Sequence, residues 1–425
     1  MAPRRAVLVF PIAIAVVVAS ALPALASAGD LDPTFGHDGK VRVSSTDGAS
    51  DVAIQPDGKT VAVGASHGHI TVMRFDRDGT LDHTFSGDGV AHLTTGQGRT
   101  DFANAVAIHL GKIVVVGTSV RQSDSGFATA ILRLDSDGTL DHSFSGDGRQ
   151  LLRVGSESTG EDVAIQGDGR IVVAGTSDGE FLVVRRLANG APDPSFSNDG
   201  SDRTAFVQEA EARTVGIDPT NGRIVVGGTF DSGTGPHDLV LAAYTKSGDL
   251  DHTFSQDGKM IRVTSTRGGL AAIAILASGR ILVAGTTRSG QAKGQFLVEK
   301  YTRTGAFDTS FGGGDGIVPI GFVTGGHPRD DLASGIATQS DGRIVVAGMS
   351  AGQTDEFAVA RLNANGALDN GFHGGGVLTA FPEDAEPTGI AVNNGTHKIV
   401  VVGIEFTGMP SIPIDAALAA RYLGA

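Results

Sequence analysis

The chain has 425 residues, a formal net charge of −14 at pH 7, and neither cysteine nor tryptophan. Without cysteine it can form no disulfide framework, thiol nucleophile or thiolate metal site. The acidic balance argues against nucleic acid and anionic membrane surfaces as partners, because both require clustered lysine and arginine.

The amino terminus has the layout of a secretory signal peptide. Arg4 and Arg5 precede an apolar run that ends in Ala26-Ser27-Ala28, and such segments are cleaved after a small-x-small site. We therefore expect residues 1–28 to be removed and residues 29–425 to be secreted as a single domain without a membrane segment. The alternative is an uncleaved anchor, because the apolar run is long enough to span a bilayer of about 30 Å as a helix.

One motif recurs seven times along the rest of the chain, as in LDHTFSGDG at 81–89. The copies begin at Leu31, Leu81, Leu140, Pro192, Leu250, Phe307 and Leu368. After each motif come a short segment such as KVRVSS (40–45), an apolar segment such as DVAIQ (51–55), a tight turn such as PDGK, an apolar run such as IVVAGT and a segment such as FLVVRRL. Asp-Gly supplies the positive φ angles of short hairpins, and apolar runs without alternation indicate strands that are buried on both faces.

This pattern predicts an all-β, seven-bladed β-propeller with four antiparallel strands per blade, 28 strands in all, and almost no helix. A linear solenoid is the alternative, but it requires end caps. The final residues AALAARYLGA match the third strand of a blade, and GDLDPTFG (29–36) supplies the motif that should follow it. We therefore predict that residues 40–45 pair with the segment near Ala416–Tyr422 and close the ring, which hides the sheet edges.

The segments IQPDGKTVAVG, IQGDGRIVVAG and TQSDGRIVVAG, followed by a basic-ended strand and LDxTFG, resemble the delta-60 repeat of secreted bacterial proteins. The resemblance covers residues 29–425 and implies a propeller, but it implies no activity and no catalytic residues. Blades 2 and 7 depart from the pattern in their turns, HLGK (109–112) and NNGTHK (393–398). The basic residues near the ends of the third strands are Arg74, Arg133, Arg186, Lys300, Arg361 and Arg421.

We interpret the motif as a structural joint. Its phenylalanine is expected to fill the corner of a blade, and its aspartate to accept hydrogen bonds from turn amides or from a nearby arginine. Runs such as FDRDGTLDHTF (75–85) also suggest a calcium loop, but the glutamate and flanking helices of the helix-loop-helix calcium site are missing. We therefore expect no metal and no cofactor.

The connections at the two ends of the blades are expected to differ. Antiparallel strands place the first-to-second and third-to-fourth turns at one end, where the sequence is nearly uniform, and the irregular loops at the other. Irregular loops are free to specialise. The candidate ligand-binding residues on that face are Asp101, Glu161, Asp162, Arg213, Asp330, Asp331, Glu386, His67 and His69.

Two pairs of neighbouring residues in this set carry more specific expectations. Asp330 and Asp331 are expected to be exposed, so that changing both to alanine would weaken ligand binding without altering the melting temperature. His67 and His69 would face the same way in an extended segment and could share a metal with a third ligand, but no spacing marks such a ligand and we expect a solvated loop.

Two functions fit this sequence. The favoured one is a monomeric binding or scaffold module for an extracellular protein, glycan or cell-wall ligand, because no HExxH or phosphate-binding loop occurs. The alternative is an extracellular lyase or hydrolase with an acidic site at the channel mouth. A buried carboxylate pair with split pKa values at that mouth would favour the enzyme.

Overall fold

The computed structural model of this protein describes residues 26–123, 126–230, 238–262, 269–288, 293–406 and 416–424. Within these ranges the chain folds into seven four-stranded antiparallel sheets, which confirms the predicted seven-bladed propeller. The described part contains one short 3₁₀ helix, His373–Gly375, and no α-helix. No helix in these ranges has the length and apolar character needed to cross a membrane. Residues 1–25 of the expected signal peptide lie outside the described residues.

The strands of the first three blades follow one another in chain order. Strand β1 (Lys40–Val43) comes first and belongs to the last blade. Blade 1 contains β2 (Ala49–Ile54), β3 (Thr60–Ser66), β4 (His69–Phe75) and β5 (Val90–Leu93). Blade 2 contains β6 (Arg99–His109), β7 (Lys112–Arg121), β8 (Phe127–Leu134) and β9 (Arg149–Leu152). Blade 3 contains β10 (Asp162–Ile165), β11 (Ile171–Ser177), β12 (Glu180–Arg186) and β13 (Ser201–Thr204).

The remaining four blades continue in the same way. Blade 4 contains β14 (Ala210–Ile217), β15 (Ile224–Phe230), β16 (Asp238–Tyr244) and β17 (Lys259–Arg262). Blade 5 contains β18 (Leu270–Ile275), β19 (Ile281–Thr287), β20 (Gln295–Tyr301) and β21 (Ile317–Ile320). A hairpin of β22 (Val323–Thr324) and β23 (His327–Pro328) leads to blade 6, with β24 (Asp330–Thr338), β25 (Ile344–Ala351), β26 (Glu356–Leu362) and β27 (Gly376–Thr379). Blade 7 contains β28 (Asp384–Val392), β29 (Ile399–Phe406), β30 (Ala416–Tyr422) and β1.

The first strand of each blade contacts the first strand of the next, so these seven strands surround a central channel. The described residues therefore hold the 28 expected blade strands, and the β22–β23 hairpin adds two that the repeat pattern did not predict. Apolar residues of adjacent blades pack against each other, as Val61 and Val63 of blade 1 do with Ile113 and Val115 of blade 2. The apolar runs are thus buried on both faces, as predicted.

Strand β1 closes the ring as predicted. It pairs antiparallel with β30, with Lys40 opposite Ala420 and Val43 opposite Ala417. The strand ends at Val43, two residues earlier than expected. Beside it, the Asp32 N–H donates to the Arg421 carbonyl at 2.8 Å. Both ends of the chain therefore share one sheet.

The two ends of the ring carry the two classes of connection. The turn after β2 lies against the turn after β4, where Arg77 Nε donates to the Asp57 carbonyl at 2.5 Å. We call this end the turn face and the opposite end the loop face. Parts of the long loops between second and third strands, residues 124–125, 231–237, 289–292 and 407–415, lie outside the described residues.

The repeated motif is the joint between blades, as interpreted. In blade 1, Asp82 Oδ1 accepts the N–H and hydroxyl of Thr84 at 3.0 and 2.6 Å. Its Oδ2 accepts from Arg74 Nε and from Lys59 Nζ, both at 2.6 Å. The Arg74 guanidinium lies 4.7 Å from the centroid of the buried Phe85 ring and also donates to a carbonyl of blade 2. All seven motif phenylalanines are fully buried: Phe35, Phe85, Phe144, Phe196, Phe254, Phe311 and Phe372.

In blade 3 the basic partner of the motif is Arg185, the residue before the strand-ending Arg186. Arg185 Nε donates to Asp193 Oδ2 at 2.7 Å. Arg186 is only 6% exposed and sits where the other blades place an apolar or tyrosine side chain. Those counterparts are Phe75, Leu134, Tyr244, Tyr301, Leu362 and Tyr422.

Candidate functional site

β-bulges in the first strands place a ring of side chains in the channel. A bulge leaves one residue unpaired and re-aims its side chain. The register of the first strand shifts by one residue in six blades, and Glu161 holds the equivalent place in blade 3, directly before β10. We call these seven residues the bulge ring: Ser50, Asn104, Glu161, Arg213, Ala271, Ser334 and Thr388. All of them line a cavity of about 200 Å³.

The residues that follow the bulge ring form a second lining layer, which we call the inner ring. Its members are Asp51, Ala105, Asp162, Thr214, Ala272, Gly335 and Gly389. Charged side chains of both rings come from blades 1, 3 and 4, whereas blades 5 to 7 contribute only small or hydroxyl side chains. The channel is therefore lined by charged side chains on the side of blades 1, 3 and 4 and by small or uncharged ones on the side of blades 5 to 7.

Three inner-ring side chains tie their blade to the next one. Asp51 Oδ2 accepts the N–H of Val106 at 2.9 Å, and Asp162 Oδ2 accepts the N–H of Val215 at 2.7 Å. Thr214 Oγ1 accepts the N–H of Ile273 at 3.3 Å in the same way. Because a threonine makes the same bond as the two aspartates, this contact needs no negative charge.

The two inner-ring carboxyls hold their protons more tightly than usual. Burial raises the pKa of Asp51 to about 7, against the hydrogen bond from Val106, and the charge of Asp162 adds to the rise. Burial raises the pKa of Asp162 to about 6, and the charge of Glu161 adds to it. Both side chains are half-buried, since part of their surface faces the cavity. Unlike the motif aspartates, neither forms an ion pair with a lysine or arginine in the described part of the chain.

Blades 2 to 4 bring an amide, a carboxylate and a guanidinium together in the bulge ring. Asn104 Nδ2 donates to the Gly160 carbonyl at 2.8 Å and lies 3.4 Å from Glu161 Oε2. Burial raises the pKa of Glu161, while the charge of Arg213 opposes the rise. The Arg213 side chain is 50% exposed and pairs with Glu211 at 2.8 Å. These groups are free to exchange hydrogen bonds with a ligand.

Four inner strands, those of blades 2, 4, 6 and 7, extend beyond the bulge toward the loop face. Each carries an exposed residue two positions before its bulge residue. Phe102 and Leu332 are apolar and are 42% and 39% exposed, whereas Glu211 and Glu386 are acidic. The rim of the channel therefore combines apolar and acidic side chains.

The structure separates the predicted ligand-binding residues. Glu161, Asp162 and Arg213 line the cavity together, and Glu386 lies on the rim. Asp51, Asn104, Ser334 and Thr388 also line the cavity but were missed. The signal available in the sequence was that Asp51 and Asp162 both precede the same apolar segment, VAIQ.

Asp101 and Asp331 are fully buried, so the expectation of an exposed pair at 330 and 331 was wrong for Asp331. Asp331 accepts the N–H of Phe322 at 2.8 Å and the hydroxyl of Ser350 at 2.5 Å. In the same way, Asp101 accepts the N–H of Thr95 at 2.8 Å and the hydroxyl of Thr95 at 2.7 Å. Asp330 is more accessible and pairs with Arg288 at 2.5 Å. Both buried aspartates anchor loops at the loop face.

His67 and His69 lie at the hairpin between β3 and β4. His67 has a positive φ of 51° and its Nδ1 lies 2.9 Å from Ser66 Oγ. In the described ranges no three histidine, aspartate or glutamate side chains are grouped so that they could hold a metal ion. The metal alternative for this pair therefore gains no support.

Six segments of the chain match the model of a β-propeller family described as a domain of unknown function (DUF5122): residues 55–85, 111–144, 166–196, 220–254, 276–311 and 339–372. Each segment runs from the turn region after a first strand to the phenylalanine of the motif. The match supports membership in a propeller family whose repeat unit is the one described above. No curated protein matches the sequence.

Solved structures with a similar fold include two of a PL25 ulvan lyase, a polysaccharide lyase. The structure bound to -[GlcA(1-4)Rha3S]- has a TM-score of 0.51 and 10% identity, over 91% of this chain and 96% of that chain. A second structure of the lyase has a TM-score of 0.51 and 11% identity, again over 91% of this chain and 96% of that chain. A protein of unknown function from Dyadobacter fermentans has a TM-score of 0.45 and 13% identity, over 91% of this chain and 99% of that chain. At 10% and 11% identity the likeness to the two lyase structures shows the fold alone.

Proposed function

We propose that this protein is a secreted β-propeller that binds a neutral, hydroxyl-rich ligand such as a glycan at the loop-face mouth of its channel. The observation that carries the proposal is the bulge ring, which converges polar side chains on one cavity whose opposite wall is formed by small and apolar residues. Ligand sites are concave and combine a few converging polar groups with apolar surface. Binding requires no catalytic group, and none is part of this proposal.

The lining suits hydroxyl groups. Asn104 can both donate and accept, Glu161 accepts when ionised, and Arg213 donates. Phe102, on the rim two residues before Asn104, offers an exposed aromatic face to the apolar side of a sugar ring. The acidic rim and the inner-ring carboxyls disfavour a negatively charged ligand.

The size of the cavity limits what enters it. A volume of about 200 Å³ is below the roughly 300–1,000 Å³ of sites that enclose a drug-sized ligand. We therefore expect one terminal unit of a longer ligand to enter the channel, while the rest lies on the rim beside Phe102 and Leu332.

Binding to a panel of neutral and charged glycans tests the proposal. Once a ligand is found, Asn104→Ala and Glu161→Gln should each weaken binding at least tenfold with little change in melting temperature. Glu383→Gln is the matched control, because Glu383 is exposed and lies outside the cavity. Unchanged binding by both channel variants would refute the site.

Secretion is part of the same proposal and rests on the signal-like segment at residues 1–28. Amino-terminal sequencing of protein recovered from the medium of an expressing culture should begin at Gly29. A chain that stays with the cells and keeps residues 1–28 would favour the anchor instead.

The second candidate function is a lyase or hydrolase, and Asp51 is the observation that favours it. A carboxyl with a pKa near 7 is suited to abstract a proton at neutral pH. Against this function, one Asp51 oxygen accepts the N–H of Val106. Thr214, which is not an acid, accepts the N–H of Ile273 in the same way. Assays of uronate-containing and neutral polysaccharides for new unsaturated or reducing ends decide this point. Activity that is lost in Asp51→Asn would replace the binding proposal.

A further inference from the structure

The turn of blade 2 differs from the other turns on the turn face. His109 pairs with Lys112, which leaves a two-residue turn of Leu110 and Gly111 with φ angles of 49° and 77°. Such turns favour Asn-Gly, and the left-handed region is unfavourable for leucine because its β-carbon crowds the following carbonyl oxygen. Leu110 is also 89% exposed. A strained, exposed apolar side chain with no packing role points to a binding surface.

Leu110 borders a cleft between blades 2 and 3. The cleft has a volume of about 440 Å³, within the range of small-molecule sites. Its apolar walls are formed by Leu110 and Val114 of blade 2 and by Ile165 and Ile171 of blade 3. Its size and walls fit the flat body of an aromatic ring system.

All charges around this cleft are neutralised by partners within the protein. Lys112 lies 2.9 Å from Asp141, and Arg133 Nε lies 2.8 Å from the same carboxylate. Arg170 pairs with Asp168 and with Asp193. The cleft therefore offers no free charge to a ligand, so a charged ligand would lose its hydration without gaining a partner.

His109 is the one polar ring in the cleft, and among the described residues it has no hydrogen-bond partner. A β-carbon on Gly169 would lie 3.5 Å from His109 Nε2, so this nitrogen faces the turn of blade 3. It can donate or accept one hydrogen bond, depending on its tautomer. The ligand thus needs one polar group beside an apolar body.

Two other pairs of neighbouring blades have turns that are bridged by side chains. Between blades 6 and 7, Ser340 Oγ lies 3.0 Å from His397 Nε2. Between blades 4 and 5, Arg303 Nη2 lies 2.9 Å from Asp218 Oδ2. The turns of blades 2 and 3 have no such side-chain bridge in the described structure, so this cleft stays open.

We propose that the cleft between blades 2 and 3 is a second ligand site, separate from the channel, that takes a small uncharged aromatic compound with one hydrogen-bonding group. Phenol and indole are suitable probes, and benzoate is the charged comparison. Ligand-observed NMR with the mature protein should show binding of both neutral probes, with benzoate at least tenfold weaker.

Leu110→Asn is the informative variant, because asparagine suits the left-handed turn and removes the apolar wall. It should weaken probe binding at least fivefold without lowering the melting temperature. Leu151→Asn is the matched control, since Leu151 is 39% exposed and lies outside the cleft. The proposal is overturned if the neutral probes do not bind, if benzoate binds equally well, or if Leu110→Asn binds like the parent protein.

Discussion

Arg421 and Asp32 lie 389 residues apart in the chain, yet Arg421 Nε donates to Asp32 Oδ2 at 2.8 Å. Lys398 Nζ approaches the same oxygen at 2.6 Å. Burial alone would raise the pKa of Asp32, but the hydrogen bonds from Lys398 and Thr34 and the charge of Arg421 lower it to about 2. The ring is thus closed by the same arginine–aspartate joint that blades 1, 2, 3 and 6 contain, with its two halves supplied by opposite ends of the chain.

Removal of this carboxylate should open the ring. Asp32→Ala leaves two cations at a buried position without their partner, and such losses cost about 3–5 kcal/mol. We expect a clear fall in the free energy of unfolding, measured with urea. Asp38→Ala is the control, because Asp38 is 63% exposed and its 3.7 Å pair with Lys40 is worth at most about 1 kcal/mol. Equal losses in the two variants would show that closure does not depend on Asp32.

Substitution by leucine should raise the stability of the protein at Arg186 and lower it at Arg185. Arg186 is buried, its Nε has no hydrogen-bond partner, and burial lowers its pKa. Arg186→Leu, which copies blades 2 and 6, should raise stability by about 1 kcal/mol or more, because it replaces a buried charge with an apolar side chain. Arg185→Leu should destabilise instead, since it removes the buried one of the two arginines that pair with Asp193. Thermal unfolding of both variants checks the sign, and a less stable Arg186→Leu would contradict the assignment.

Stability should decline as the pH rises through the range in which the channel acids titrate. Unfolded aspartate titrates near pH 4, whereas Asp51 and Asp162 have pKa values of about 7 and 6 in the folded protein. Between these limits the folded state holds more protons than the unfolded state, so the free energy of unfolding falls with rising pH. Asp32 acts in the opposite sense, because its lowered pKa adds stability above about pH 4 that is lost on further acidification.

Asp51→Asn isolates the channel contribution. The amide can still accept from the N–H of Val106 but cannot ionise. Urea unfolding from pH 5 to pH 8 should show a shallower slope in the variant than in the parent, and a more stable variant at pH 8. Parallel curves would mean that Asp51 does not titrate in this range.

Single substitutions of the adjacent residues Asp330 and Asp331 should lower the stability of the protein by different amounts. Asp331→Ala removes the acceptor for a buried N–H and a buried hydroxyl, which costs about 1–3 kcal/mol. Asp330→Ala breaks a partly exposed pair with Arg288 and should cost less than about 1 kcal/mol. Circular dichroism melting curves measure both. Equal melting temperatures would contradict the burial of Asp331.

The repeats were enough to predict the fold, because each blade is specified by local patterns. The apolar runs, the Asp-Gly turns and the split motif at the two ends of the chain indicate the number of blades and the closing strand. Asp82 and its equivalents were interpreted correctly as joints, since seven copies of one residue favour a structural role.

The site was harder to predict because bulges shift side chains without a sequence signature. Asn104 and Ser334 enter the channel only because one extra residue interrupts the pairing of β6 and β24. Arg185 and Arg186 are adjacent and identical, so only the register of β12 tells which one meets Asp193. Asp331 looked exposed in a charged loop, and its burial depends on the β22–β23 hairpin that brings Phe322 onto it.

The pairing of β1 with β30 sets the order in which the molecule can be assembled. Six blades are made of consecutive segments and can form as soon as each is synthesised, whereas Lys40 must wait for Ala420. Contacts across so long a stretch of chain form slowly. Until then we expect an open arc in which β1 is unpaired at one end and the outer edge of β30 is unpaired at the other. This arc is the stage most exposed to aggregation and to chaperone binding.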